Sequence, residues 1–130
     1  MSSITLNNIT KNYGDVQIIQ NFSDRFNDRE FITLLGPSGC GKTTMLRMIA
    51  GFEKPTTGEI KIDDVVVSSA DKFVPPNLRN IGMVFQSYAV WPHMNVFDTV
   101  AYPLKIKRVP RSETTERVMN ILDPLLYLRT

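Results

Sequence analysis

Apolar and polar residues alternate along much of the N-terminal half of the chain, a pattern typical of half-buried strands. The alternation predicts strands at residues 4–9 and 16–26 and a hairpin of two strands within residues 59–67. Asp63 and Asp64 lie at the turn of that hairpin, where turn chemistry explains paired carboxylates better than catalysis does. Residues 10–15 are predicted as a loop. The pattern therefore predicts an antiparallel β part.

Two short, mainly apolar runs, 31–35 and 81–85, are typical of strands buried on both faces. Apolar residues at helical spacing follow the first run, and Gly51 then offers a left-handed C-cap. The second run ends at Gln86, and doubly wound sheets place ligand contacts at such strand ends. A strand is thus expected before Gly36, and a loop followed by a helix is expected after it.

Two more helices are predicted in the C-terminal third of the chain. One should begin near Val96, with Asn95 as its N-cap, and be disturbed at Pro103. The other should open at residues 110–112 and be interrupted by Pro124.

The sequence GPSGCGKT, from Gly36 to Thr43, fits the phosphate-binding pattern of Gly, four residues, Gly-Lys and Ser or Thr. Its glycines let successive N–H groups and a helix N-terminus point at one anion. Lys42 would reach the terminal phosphates, and the Thr43 hydroxyl would ligate Mg²⁺. This predicts a nucleoside triphosphate site. The contacts are expected from Gly36, Ser38, Gly39, Cys40, Gly41, Lys42, Thr43 and Thr44.

Composition narrows the class of protein. With 42% hydrophobic and 22% charged residues among 130, the chain is expected to be one soluble globular domain. No apolar run has the length of a membrane span and the N-terminus does not read as a signal peptide, so a cytosolic location is expected. A net charge of +2 is too small to favour binding to nucleic acid. Cys40 is the single cysteine, best explained by a need for a small side chain, with a redox switch as the alternative.

Two aromatic features remain open from the residues alone. Tyr13 could be a core residue or a platform for a base, and by itself it favours the core. The loop after Gln86 holds Tyr88, Trp91 and His93, and such large groups fit either a partner surface or packing back onto the domain. His93 has no second histidine or nearby cysteine with which to hold a metal.

Tyr13, the loop GPSGCGKTT and the stretch IGMVFQSYAVWPHM together resemble the ATP-binding subunits of ABC transporters, especially importers for iron, sugars, polyamines or similar solutes. The resemblance covers residues 4 to about 123. It implies an α/β fold with a partial P-loop NTPase core of mostly parallel sheet, an antiparallel β subdomain and the start of a helical subdomain. Residues 1–123 would form this partial nucleotide-binding domain, and residues 124–130 an atypical tail.

The resemblance also implies ligands and partners. ATP and Mg²⁺ would bind, with Tyr13 stacked on adenine and Gln86 contacting Mg²⁺ and the attacking water. The loop Tyr88–Met94 would face a membrane-spanning subunit, which places the protein in the cytoplasm at the inner face of the cell membrane. A second ATP-binding subunit would complete the site, and no nucleic acid is expected.

The sequence departs from that family at its C-terminal end. The signature loop, the Walker B carboxylates, the D-loop and the switch histidine have no counterpart, and Asp123 lies in a helical repeat before a proline. The last seven residues do not continue the expected helix, as a frameshift or premature stop would produce. A nucleotide-binding fragment without turnover is the main alternative. A non-transport ABC protein acting on nucleic acid and a small-molecule kinase are weaker alternatives.

We expect this chain not to turn over ATP by itself. Hydrolysis requires a carboxylate on Mg²⁺, a polarised water and stabilisation of the charge on the γ-phosphoryl group, and Lys42, Thr43 and Gln86 supply only part of that set. At saturating Mg-ATP, phosphate release should not exceed that of a Lys42→Ala variant. Sustained release that disappears in the variant would contradict this expectation.

Overall fold

The structure is a computed structural model that describes residues 2–87 and 91–126, with side chains up to Pro124. The chain forms two compact units, Met1–Val84 and Phe85–Thr130. The elements of the first unit are β1 (Ile4–Tyr13), β2 (Val16–Phe26), α1 (Lys42–Ala50), β3 (Thr57–Ile62), β4 (Val65–Ser68) and a 3-10 turn (Pro76–Leu78). Those of the second unit are α2 (Val96–Ile106) and α3 (Arg111–Leu126).

The sheet of the first unit has the strand order β2-β1-β3-β4, and every neighbouring pair is antiparallel. The predicted antiparallel strands and the hairpin at Asp63 and Asp64 are confirmed. The predicted loop at residues 10–15 is wrong, because β1 continues to Tyr13, which pairs directly with Val16. Pairing with β2 satisfies the backbone of these polar residues, a contribution that the side-chain pattern does not reveal.

The core of this unit lies between the sheet and α1. Leu6 and Ile9 of β1, Ile60 of β3 and Met48 of α1 are the largest of its fully buried hydrophobic side chains. Burial of this apolar face, rather than intrinsic propensity, stabilises a helix of only nine residues. The helix that carries the phosphate-loop residues is therefore anchored to the sheet by its own apolar side.

The two apolar runs predicted as buried strands do not form strands. Residues 31–35 and 81–85 lie outside the sheet, and Phe31, Leu35 and Val84 are 94%, 88% and 98% exposed. A strand exists only through hydrogen bonds to a neighbour, and the described sheet offers these segments none. Leu34 and Ile81 still pack against the core. The prediction that these two segments form strands is therefore wrong.

The second unit consists of α2 packed against α3, with Ala101 and Val118 fully buried. The predicted N-cap is confirmed, since the Asn95 side chain accepts from the N–H of Asp98 at 2.7 Å. The predicted interruption at Pro124 is wrong, because α3 continues to Leu126.

Pro103 likewise lies inside α2, which runs on to Ile106. A proline removes one helical hydrogen bond and crowds one carbonyl, and the following residues can still bond beyond it. Within residues 2–87 and 91–126, no helix combines the length and apolarity needed to cross a bilayer.

Arg79 is buried to 4% exposure in the first unit, without a carboxylate in ion-pair contact among the described residues. Its guanidinium donates instead to four backbone carbonyls. The oxygens are those of Val74 (2.6 Å), Met48 (2.8 Å), Ile49 (2.8 Å) and Val67 (3.2 Å). Two belong to the last turn of α1, whose carbonyls lack partners within the helix. Arg79 therefore joins the C-terminal end of α1 to β4 and to the chain before the 3-10 turn.

Arg79→Met should destabilise the first unit by about 2–5 kcal/mol, because several buried carbonyls would lose their donor at once. Urea unfolding followed by circular dichroism measures this. Arg25→Met, which removes an exposed arginine from β2, is the matched control and should change the midpoint little. Equal midpoints for the two variants would contradict the role given to Arg79.

Candidate functional site

The loop from Gly36 to Gly41 leads directly into α1, and residues 36–40 are exposed to solvent. Two of its glycines are needed sterically as well as conformationally. Gly36 has φ 153°, and a Cβ there would lie 2.6 Å from the Sγ of Cys40. Gly41 has φ 94°, and its Cβ would meet Ile19 Cγ1 at 3.0 Å and Ile18 Cγ2 at 3.1 Å. The curl of the loop therefore requires glycine at both positions.

The first turn of α1 presents unused hydrogen-bond donors. Gly41 is the N-cap and provides no side-chain cap, and the first N–H bond into the helix is that of Met45 to the Gly41 carbonyl, at 2.8 Å. Within the described residues, the N–H groups of Lys42, Thr43 and Thr44 have no backbone acceptor. These three donors and the positive end of the helix dipole suit an anion.

The Lys42 side chain folds over the loop. Its Nζ donates to the carbonyls of Gly36 (2.8 Å) and Pro37 (2.7 Å) and lies 3.4 Å from the Sγ of Cys40. An ammonium has three donors, so two are used by carbonyls and the third meets a weak acceptor. That third donor is the one an anion in the loop can take at the lowest cost.

An apolar cavity of about 280 Å³ lies between β2 and the loop. Its walls include Ile18, Phe22, Leu34 and Met45, and the loop contributes Gly41 and Lys42. A triphosphate would lose its hydration against these mostly apolar walls and gain few donors in return. The exposed side of the loop, rather than this cavity, has the chemistry for phosphate.

Tyr13 stands at the end of β1 with 46% of its surface exposed, and not in the core. Lys11 Nζ lies 4.8 Å from the centre of its ring. The same ammonium is 3.1 Å from Glu53 Oε1 and donates to the Lys54 carbonyl at 2.8 Å. Arg47 Nε of α1 lies 3.5 Å from Glu53 Oε2.

Opposing effects set the pKa of Glu53. Burial raises it, but the hydrogen bond from Lys11, the nearby Tyr13 hydroxyl and the charges of Lys11 and Arg47 outweigh burial, so the pKa lies below the ordinary 4.5. A carboxylate with a depressed pKa stabilises the fold above its unfolded-state pKa. This contribution is therefore present at neutral pH and is lost as the pH falls through the folded-state pKa.

Gln86 lies in the second unit and is exposed. Its contact with Mg²⁺ and water stays a prediction. Of the predicted partner loop, Tyr88 and the two residues after it lie outside the described residues. Trp91 packs edge-on against Tyr102, with ring centres 4.5 Å apart. Residues 2–87 and 91–126 contain no group of three His, Cys, Asp or Glu side chains placed to hold a metal.

Sequence reasoning did not single out Lys11 or Glu53. Nothing in the local sequence around either residue reports a contact 42 residues away along the chain. The only available signal is that Lys11 and Tyr13 are two residues apart in a strand, where side chains can share a face.

Known proteins resemble this chain over nearly its whole length. The trehalose/maltose import ATP-binding protein MalK of Thermococcus litoralis is 50% identical over 127 residues, which is 96% of this chain and 34% of that protein. The sn-glycerol-3-phosphate import ATP-binding protein UgpC of Ruegeria pomeroyi is 46% identical over 129 residues, 99% of this chain and 35% of the relative. The spermidine/putrescine import ATP-binding protein PotA of Legionella pneumophila (strain Lens) is 49% identical over 119 residues, which is 92% of this chain and 32% of that protein. The chain thus spans about a third of the length of these curated relatives.

A solved structure shares the fold. The ATP-binding cassette MJ0796, in a dimeric post-hydrolysis state bound to ADP and Pi, superposes with a TM-score of 0.73 at 28% identity, covering 92% of this chain and 56% of that one. This likeness confirms the predicted α/β class. The sequence profile of the ABC transporter family matches residues 19–126, and the chain therefore belongs to that family.

Proposed function

We propose that this chain binds Mg-ATP in the manner of the ATP-binding subunit of an ABC importer. The observation that carries the proposal is the set of donors at the start of α1. The N–H groups of Lys42, Thr43 and Thr44 lack backbone acceptors in the described structure, and the Lys42 ammonium lies across the loop beside them. Backbone donors, a helix N-terminus and a cation in one exposed loop match a polyphosphate.

The phosphates would bind on the exposed side of the loop. Lys42 would keep its carbonyl bonds to Gly36 and Pro37 and turn its third donor from the Cys40 sulfur to a phosphate oxygen. Exchanging a weak thiol contact for a charge-assisted hydrogen bond favours the bound state. The Thr43 hydroxyl, exposed on the first turn of α1, would ligate Mg²⁺. Gln86 is the proposed second contact to Mg²⁺ and to the attacking water.

Tyr13 would stack on the adenine ring. Its half-exposed ring supports this role, because a residue at the end of a strand with an open aromatic surface can receive a planar base. Tyr13 therefore recognises the base, whereas the loop recognises the phosphates. The two contributions can be separated experimentally.

The names of the relatives support a role in import. Proteins that are 46–50% identical to this chain are named for trehalose/maltose, sn-glycerol-3-phosphate and spermidine/putrescine import, so identity in this region does not select a solute. We place the protein in the cytoplasm, at the inner face of the membrane. Its proposed partners are a membrane-spanning subunit, contacted through the loop Tyr88–Met94, and a second ATP-binding subunit.

Lys42→Ala should weaken both Mg-ATP and magnesium tripolyphosphate about tenfold to hundredfold, because it removes a charge-assisted hydrogen bond worth roughly 1.5–3 kcal/mol. Tyr13→Ala should weaken ATP by about 1–3 kcal/mol of lost stacking and leave tripolyphosphate unchanged. Isothermal titration calorimetry with both ligands measures the four affinities.

Two variants serve as controls for this comparison. Lys72→Ala removes an exposed lysine, and Tyr102→Ala removes a half-exposed tyrosine of the second unit. Both should leave the two affinities unchanged. Unaltered binding in Lys42→Ala would refute the phosphate site, and equal losses for the two ligands in Tyr13→Ala would make Tyr13 a structural residue.

A further inference from the structure

We propose that the connection between α2 and α3 adsorbs to the surface of anionic phospholipid bilayers. Two adjoining groups of residues form this surface. The basic turn consists of Lys107, Arg108 and Arg111, and the apolar stripe consists of Tyr102 and Ile106. All five residues are exposed and belong to the second unit. The inference does not depend on nucleotide binding, because no residue of the phosphate loop takes part.

The basic turn carries three cations without an ion-pair partner among residues 2–87 and 91–126. The other described cations of this unit are engaged, since Lys105 Nζ lies 2.6 Å from Asp98 Oδ1 and Arg117 pairs with Glu113. The remaining described carboxylates of the unit lie further along α3, at Glu116 and Asp123. Three positive charges are therefore available to an external anionic surface.

Backbone hydrogen bonds fix the basic turn. The N–H of Val109 donates to the Leu104 carbonyl at 3.0 Å. The N–H of Arg108 donates to the Lys105 carbonyl, also at 3.0 Å. These two bonds are the pair that defines a Schellman motif at the end of a helix. The cations are thus attached to a preformed backbone, so little backbone entropy is lost when they meet a charged surface.

Two of the three cations occupy positions that local backbone preferences disfavour. Arg108 has φ 56°, the left-handed conformation in which the residue after a helix is usually glycine. Arg111 is the first residue of α3, at the positive end of the helix dipole, where an acidic residue is preferred. Local structure therefore gives no reason for an arginine at either position, whereas contact with an anion does.

The apolar stripe leads along α2 into the basic turn. Tyr102 and Ile106 are four residues apart in the helix and share a face, and Ile106 is 66% exposed. The exposed Trp91 packs edge-on against Tyr102, with ring centres 4.5 Å apart. Aromatic rings and an apolar side chain beside cations suit the boundary between lipid headgroups and acyl chains. A polynucleotide would offer phosphates to the cations but no apolar layer to Ile106, so the lipid surface is the better match.

The expected attraction is modest and depends on salt. Each lysine or arginine near an anionic bilayer increases partitioning about fivefold, so the three cations together give about a hundredfold. Dissolved ions screen this attraction, which should fall steeply as the ionic strength rises. A preference of this size does not anchor a protein by itself. It would act together with the membrane-spanning subunit proposed above.

The test is sedimentation of the unaltered full chain with vesicles of phosphatidylcholine alone, or of phosphatidylcholine and phosphatidylglycerol in equal parts. The chain should bind the mixed vesicles about a hundredfold more tightly than the neutral ones. Trp91 is the single tryptophan of the chain, so its fluorescence reports on the stripe directly. Its emission should shift to shorter wavelength on adsorption and be quenched by lipids with brominated acyl chains.

Arg108→Gly and Arg111→Glu separate binding from folding. Glycine suits the left-handed position and glutamate suits the start of a helix, so neither change should lower the midpoint of urea unfolding. Binding to the mixed vesicles should nevertheless weaken about fivefold in Arg108→Gly and about twenty-five-fold in Arg111→Glu, which reverses a charge. Ile106→Ser should weaken it severalfold, because less apolar surface enters the bilayer.

Two triple variants distinguish the basic turn from net charge. The first combines Lys107→Ala, Arg108→Gly and Arg111→Ala and should bind mixed vesicles about a hundredfold more weakly. The matched control combines Arg25→Ala, Arg29→Ala and Lys72→Ala. It removes the same two arginines and one lysine from exposed positions of the first unit and should bind nearly as well as the unaltered chain.

Three outcomes would overturn the inference. Equal losses in the two triple variants would mean that net charge alone governs adsorption. Binding without a shift of the Trp91 emission, and without an effect of Ile106→Ser, would mean that no apolar contact with the bilayer forms. Tighter binding to a single-stranded oligonucleotide than to mixed vesicles at the same salt would make the partner a nucleic acid. None of these outcomes bears on the proposed nucleotide site, since the triple variant of the basic turn should keep the Mg-ATP affinity of the unaltered chain.

Discussion

The first unit depends on how the two ends of α1 are satisfied. A short helix leaves its first N–H groups and last carbonyls without partners within the helix. The two ends of α1 differ in whether these groups find partners elsewhere. At the C-terminal end, Gly51 closes the turn and the buried Arg79 guanidinium donates to the carbonyls of Met48 and Ile49. At the N-terminal end the donors stay open. The asymmetry leaves one fixed end and one end available to an anion.

Closing the C-terminal end of α1 in this way buries the charge of Arg79, and this explains why carbonyls surround its guanidinium. Burial lowers the pKa of its guanidinium, but an arginine remains charged at neutral pH, so the charge must be compensated where it lies. Four carbonyls from three parts of the chain provide the compensation. Removing the charge would therefore free all of these parts together. The same group that closes α1 also fixes the start of the segment that leads towards Gln86.

Under the proposed function, the open end of α1 and the Tyr13 ring would divide the recognition of a nucleotide between them. The loop offers donors without regard to the base, and the aromatic ring offers a surface without regard to the phosphates. Glu53 lies between the two, since it pairs with Lys11, whose ammonium lies over the Tyr13 ring, and with Arg47 of α1. Affinity for a whole nucleotide would then depend on the distance between two sites that each bind only part of it.

The sequence by itself determined the local features of this protein. The glycine spacing identified the phosphate loop, the alternation identified β2 and the β3–β4 hairpin, and Asn95 marked the start of α2, because each depends on neighbours within a few residues. Only the tertiary structure decided which apolar runs become strands, since residues 31–35 and 81–85 have the right composition but no neighbour in the described sheet. It also decided the contacts of Arg79 and Glu53. Such contacts join residues that are distant along the chain, and a single sequence contains no local signal for them.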